Sequence, residues 1–151
     1  MGYAEPDAVR LIGEVQQEYV VRYGGGDETP LDPDHFELPE GLFAVGYLDG
    51  EPVACGGWRV REGGHAGLLD GDAELKRMYV VPSARGRGLA RRMLRYLEDT
   101  ATEAGRTRLV LETGLKQPEA IALYESEGYE PIEKFGIYRD SPHNLCLARK
   151  L

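Results

Sequence analysis

"ELKRMYVVPSARGRGLARRMLR", residues 74–95, decides how the rest of the chain is read. An apolar run fit for a strand ends at Pro82. A glycine turn, Arg85-Gly86-Arg87-Gly88, follows, and then a helical pattern begins. Strand, glycine turn and helix in that order build a backbone anion site. The glycines permit a sharp turn and close approach. The free N–H groups at the helix start point at the anion, with the helix dipole behind them. Arginines beside such a loop add charge-assisted hydrogen bonds, so a diphosphate is a fitting guest. The plainer reading is a tight turn with arginines on a solvated helix face. Two other phosphate loops do not fit. Gly86-x-Gly88 continues to Arg91 where the dinucleotide fingerprint needs a third glycine. No Gly-Lys-Ser/Thr triplet exists for a P-loop.

The charge around this stretch is unlike that of the rest. Residues 76–95 hold seven basic residues and no acid, in a chain of formal net charge −8, so the remaining residues sum to −15. Residues 1–51 alone carry −10. A nucleic-acid binder needs a basic domain or an extended basic face. One basic patch on an acidic chain suits a small polyanion better, so nucleic acid is not an expected partner.

At 151 residues, 42% hydrophobic and 29% charged, the chain is expected to form one soluble domain over residues 1–151. No apolar run approaches the roughly 18 residues of a membrane span. No basic region followed by an apolar stretch opens the chain, so neither a secretory signal nor a membrane partner is expected, and a cytoplasmic location is. Cys55 and Cys146 lack metal-ligand spacing and read as buried thiols. His35, His65 and His143 are scattered and read as loop residues, so no metal is expected.

Working outward, residues 6–26 read as a helix with Val9, Ile12, Val15, Tyr19 and Tyr23 as its apolar stripe and Gly24 to Gly26 as its stop. A proline-rich loop follows, with room for a helical turn near Pro33 to Phe36. Residues 42–60 are two strands about an Asp49-Gly50 hairpin. After the quoted strand, a helix from about Gly86 to Glu103 carries Leu89, Met93, Leu97 and Ala101 on one side. "TRLVLET" is a buried strand, "QPEAIALYESEG" a helix opened by Pro118, and a β-rich tail ends the chain. The order predicts an α/β domain with a largely antiparallel sheet at each end.

Two motifs now resemble a known family. Arg85, Gly88 and Ala90 fill the coenzyme A loop Gln/Arg-x-x-Gly-x-Gly/Ala of the GCN5-related N-acetyltransferase (GNAT) superfamily. Ala120, Leu123, Tyr124, Gly128 and Tyr129 match its second motif, with Gln117 in the usual Asn position. The two lie in the family's order, about thirty residues apart. The resemblance implies a mixed, mostly antiparallel twisted sheet flanked by helices, of α+β type, with a cleft where its fourth and fifth strands splay apart. Many members begin with a strand before the first helix, and only Met1 to Glu5 is available for it here.

By this resemblance the cosubstrate is acetyl-CoA. Backbone amides of Arg85, Gly86, Arg87, Gly88, Leu89 and Ala90, with Arg91 adjoining, would hold its pyrophosphate. The segment Met78-Tyr79-Val80 would bind the thioester carbonyl and pantetheine arm through its backbone. Gln117 would add amide hydrogen bonds, and Tyr124 would protonate the departing thiolate. Glu74 falls where histone-type members carry their general base. That base is needed because a free alkylamine, with a pKa of about 10.4, is charged at neutral pH. Each residue also has a plain reading: Glu74 as a strand carboxylate paired with Lys76 or Arg77, Tyr124 as a core-edge aromatic beside Ile121. No base is in evidence for Cys146 as a nucleophile, so direct transfer in a ternary complex is expected.

Phe135 and Tyr138, in residues 134–140, are expected to wall the acceptor site. With the acidic N-terminal third they point to a cationic small-molecule or peptide amine, unless those acids only solubilise the chain. A non-catalytic coenzyme A-binding module is the alternative. The family often forms homodimers, but no feature of this sequence selects an interface.

Overall fold

The computed structural model describes residues 2–29, 31–63 and 66–151; His65 lies outside them. The elements in order are α1 (Pro6–Tyr23), a 3-10 turn (Pro33–Phe36), β1 (Gly41–Leu48), β2 (Glu51–Arg61), β3 (Asp72–Val80), a second 3-10 turn (Pro82–Ala84), α2 (Leu89–Glu103), β4 (Arg108–Gly114), α3 (Pro118–Ser126), β5 (Glu130–Pro131) and β6 (Asn144–Lys150). Among the described residues no strand precedes α1. The six strands form one sheet in the order β1-β2-β3-β4-β6-β5, antiparallel at every junction except the parallel β3–β4 pair. The family's fourth and fifth strands are thus β3 and β4 here.

Side chains alternate across a strand, and the two faces of the sheet have different covers. On one face Trp58, Ala73, Leu75, Leu109, Leu111 and Leu147 pack against Met93, Leu94, Leu97 and Ala101 of α2 and Tyr124 of α3. Truncating Leu94 or Leu97, both fully buried, is worth roughly 2–5 kcal/mol. On the other face Phe43, Cys55 and Tyr79 meet Ala8, Leu11 and Val15 of α1. Further along that face Val110, Cys146 and Ala148 are covered by Leu68 and Phe135.

The expected α1 stripe holds except at its start. Val15 is buried and Ile12 and Tyr19 pack in the same cluster, but Val9 is 54% exposed, and Ala8 and Leu11 are buried instead. The small Ala8 lets the helix start lie close to the Phe36–Phe43 pair. Gly24, in the left-handed conformation, ends the helix by donating its N–H to the Val20 carbonyl.

The β3–β4 ladder is short. Asp72, Ala73 and Glu74 pair with Arg108, Leu109 and Val110, and no pairing follows although both strands continue. On its other side β3 carries a bulge: Lys76 pairs with Gly57 and Tyr79 with Cys55, so Arg77 and Met78 together face Gly56. Arg77 sits at φ 60°, a left-handed conformation unusual for a side-chain-bearing residue. Beyond Glu74, therefore, the strands part, and the β3 backbone on that side has lost its strand partner.

Candidate active site

The parting strands open onto a cavity of about 510 Å³. Lys76, Arg77 and Met78 form one wall, and Leu111, Glu112 and Thr113 the other. Tyr124 and Gln117 of the α3 segment, Tyr19 and Tyr23 of α1, Asp27, and Tyr138 with His143 and Asn144 complete it.

The glycine turn lies past the end of β3, between the second 3-10 turn and α2, and is not among the residues that line the cavity. Gly86 and Gly88 hold φ of 82° and 74°, and open space surrounds the position a Cβ would take on either. Glycine is needed there for its backbone, not for room. The first hydrogen bond into α2 runs from Arg92 N–H to the Gly88 carbonyl, so the N–H groups just ahead of Arg92 have no helical acceptor. That cradle fits a phosphate. The arginines serve it unequally. Arg85 donates to the Val80 carbonyl and pairs with Glu18, each at 2.9 Å, with its guanidinium over Tyr79. Arg91 and Arg95 are both held by Glu127. Arg87 is exposed and without an ionic partner among the described residues.

Tyr124 is buried, edge-to-face with Tyr129 at 5.7 Å. Burial, reinforced by Tyr19, drives its phenol well above the usual tyrosine range, so it remains a proton donor. Gln117 caps α3. Its Oε1 lies 3.4 Å from both Gly114 N and Tyr23 Oη. Tyr23 crosses directly over Gly114, where a Cβ would stand 1.7 Å from its hydroxyl oxygen. Met78 and Leu111 are apolar wall residues. Tyr79 turns its side chain the other way, into the α1 cluster, and Leu89 packs there too.

Glu74 does not line the cavity. It is 1% exposed, and its Oε1 accepts from Arg59 Nε at 3.0 Å and Arg61 Nη1 at 2.9 Å. It lies on the paired side of the point where β3 and β4 part, and two guanidiniums claim it instead of the expected Lys76 or Arg77. Glu112, in the strand that the sequence predicts as buried, does line the cavity. Its Oε1 is buried without a hydrogen-bond partner, and Gly136 passes so close that a Cβ there would lie 2.6 Å from it. Burial first, then the charge of Glu74, raises this carboxyl to about 7, against the opposing pull of Lys76. The signal in the sequence is a carboxylate directly after the apolar run Leu109-Val110-Leu111.

Asp27 was also missed. Its carboxylate accepts from Lys76 Nζ at 2.7 Å and Arg77 Nη1 at 2.5 Å. Its backbone is clasped by Gln16, which accepts from Asp27 N–H at 2.7 Å and donates to its carbonyl at 3.0 Å. Burial opposes ionisation, but the two cations outweigh it and hold the carboxyl far below the usual range. The bulge lets the adjacent Lys76 and Arg77 reach the same partner.

Of the two aromatics expected at the acceptor wall, Tyr138 is there, its hydroxyl accepting from Glu28 N–H at 2.6 Å. Phe135 is not. It is buried against Leu68, Val110 and Cys146, away from the cavity. Of the acids of the N-terminal third, Asp27 and Glu28 line the cavity. Glu18 is paired with Arg22 and Arg85, Asp7 accepts from Tyr47, and Asp27 is matched by two cations. Burial pushes the Cys55 thiol up to about 12 and Cys146 up to about 11, so both stay protonated. Among the described residues no cluster of His, Cys, Asp or Glu could hold a metal ion, and no helix is long and apolar enough to cross a membrane.

The profile of the Acetyltransferase (GNAT) family matches residues 12–129. The chain belongs to the GNAT family. It is 35% identical over 144 residues to "IAA acetyltransferase" of Azospirillum brasilense, an alignment covering 95% of this chain and 90% of that one. A GNAT-family acetyltransferase of Staphylococcus aureus Mu50 superposes with a TM-score of 0.73 at 17% identity, covering 100% and 97% of the two chains. The PaiA N-acetyltransferase of Thermoplasma acidophilum, solved with coenzyme A, gives a TM-score of 0.60 at 14% identity, covering 74% and 62%. The open β3–β4 cleft is thus a GNAT cleft, and this GNAT protein is an acyl-CoA-dependent N-acetyltransferase.

Proposed function

We propose that the cavity transfers the acetyl group of acetyl-CoA directly to a primary amine, with Glu112 as proton acceptor and Tyr124 as proton donor. The observation that carries this is the presence of both groups in one cleft, each suited to its task. A carboxyl near 7 is ionised in about half the molecules at neutral pH and basic enough to relieve an attacking ammonium of its proton. A phenol held protonated by burial keeps a hydrogen to donate to a departing thiolate. Acetyl-CoA brings the activated thioester. The free N–H groups at the start of α2 and the left-handed Gly86 and Gly88 suit its diphosphate, as the coenzyme A complex of the Thermoplasma relative supports. The β3 backbone at Met78 to Val80, freed by the parting strands, and the Gln117 amide suit the pantetheine arm.

Glu112 takes the place expected for Glu74, because Glu74 is spent on two arginines and does not line the cavity. The buried, protonated Cys146 offers no covalent route, which favours a ternary complex. Thiol release from acetyl-CoA with a panel of primary amines tests the reading. Tyr124→Phe should lower kcat by about a hundredfold or more while coenzyme affinity, measured by calorimetry, stays within about twofold. Binding without turnover on any amine, or a Tyr124→Phe variant as fast as wild type, would refute it.

A further inference from the structure

Lys76 and Arg77 are 8% and 5% exposed, yet both cations draw on the one carboxylate of Asp27. A positive charge is left over where little water reaches. Donors are left over too. Arg77 Nε is buried and has no hydrogen-bond partner. The Lys76 ammonium has three N–H donors and one bond to Asp27. Of the other acids nearby, Glu74 is already shared by Arg59 and Arg61, Glu112 is only partly ionised at neutral pH, and Glu28 is exposed and makes no ion pair with either cation among the described residues. An uncompensated buried cation is costly, and the cost falls when an anion arrives. At the same end of the cavity the buried Asn144 amide meets Glu112 and Cys146 Sγ, and the Tyr138 hydroxyl, which accepts from Glu28, keeps its own proton to donate. In a chain of net charge −8, this cavity is a place where positive charge and spare donors converge.

We propose that the acceptor amine carries a carboxylate, as an amino acid does, and that Lys76 and Arg77 bind that carboxylate while the amine faces Glu112. This rests on the acetyl-transfer reading above and names its substrate class. It narrows the expectation of a cationic small-molecule or peptide amine to one that also carries a carboxylate. A carboxylate accepts several hydrogen bonds and joins Asp27 in a cluster of two anions and two cations. Glu112, Lys76, Arg77 and Asp27 line the same cavity, so a short carbon linker between amine and carboxylate suits the span.

The experiment compares amino acids with the matched amines lacking the carboxylate, such as phenylalanine with phenethylamine and alanine with ethylamine. Acetyl transfer by the full chain is followed by thiol release, and binding by calorimetry in the presence of coenzyme A. The amino acid should exceed its matched amine in kcat/KM by at least tenfold, mainly through KM. Lys76→Met should reduce that ratio by at least tenfold, and Lys76→Arg should retain most of it. Equal or better use of the matched amines overturns the proposal and leaves the transferase reading standing. So does a Lys76→Met variant that weakens both members of a pair alike, since a merely structural lysine would do that. Amino acid binding that needs Lys76, without turnover, supports the carboxylate site and refutes the transferase reading. Binding of neither member overturns the proposal. The wild-type comparison decides the matter even if Lys76→Met does not fold.

Discussion

Replacing Glu112 by glutamine should make the protein more stable and less active, and the stability gain should depend on pH. The carboxyl rises from its ordinary 4.5 to about 7, through burial first and Glu74 second. Below pH 4.5 it is protonated in both the folded and the unfolded chain and contributes no difference. Between 4.5 and 7 the unfolded chain releases this proton and the folded chain keeps it. The unfolded state then binds fewer protons, so stability falls as pH rises. Above 7 the cost is complete, and a rise from 4.5 to about 7 corresponds to roughly 3 kcal/mol. Glutamine has nearly the same shape and no charge to bury. Urea unfolding of both proteins should therefore show a gain for Glu112→Gln of less than about 1 kcal/mol at pH 5 and roughly 3 kcal/mol at pH 8. In thermal unfolding at pH 8 this is a Tm increase of about 6–12 °C. The same variant should lose about a hundred- to ten-thousand-fold in kcat/KM, together with the acidic limb of the pH profile near 7. A stability difference that stays flat from pH 5 to 8 would show that Glu112 ionises like a solvent-exposed carboxylate, and would remove it as the base.

Asp27→Ala leaves Lys76 and Arg77 buried without their shared anion, and should cost about 3–5 kcal/mol in urea unfolding at pH 7. Because the Asp27 carboxyl is held far below its ordinary 3.8, its stabilisation is complete at neutral pH and disappears only as pH falls toward the folded-state value. Gly88→Ala meets no atom within 4 Å but must hold φ near +74°, so it should cost roughly 1–2 kcal/mol. It should also weaken coenzyme A binding in calorimetry, and unchanged affinity would show that this turn does not hold the diphosphate.

The parts of the site that were legible in the sequence are local. The Arg85–Ala90 turn announces itself because glycine spacing and a following helix are properties of neighbours. Tyr124 and Gln117 follow from one helix and its first turn. What escaped depends on distant residues meeting. Lys76 and Arg77 read as part of one basic patch with the arginines of α2, yet they belong to Asp27, about fifty residues earlier. Glu74 and Lys76 lie on the same face of one strand. Only the end of β3–β4 pairing after Glu74 separates a sealed carboxylate from a cavity wall, and no periodicity encodes where a ladder ends. Phe135 and Tyr138 are three residues apart in a loop. The apolar floor of Val110 and Cys146 takes the ring without a hydroxyl, and the cavity takes the one with it.

The extra residue in β3 sets a condition on how such a site can arise or be lost. Opposite Gly56 stand two residues instead of one, and Arg77 takes up the surplus at positive φ. Deleting one residue here would let the ladder with β2 run unbroken, with Tyr79 still opposite Cys55, and strict alternation would place successive side chains of β3 on opposite faces. Adjacent residues could then no longer share one partner. The joint grip of Lys76 and Arg77 on Asp27 is therefore inherited as a length. Side chains around it are free to drift one at a time, while a single-codon deletion would part the two cations in one step.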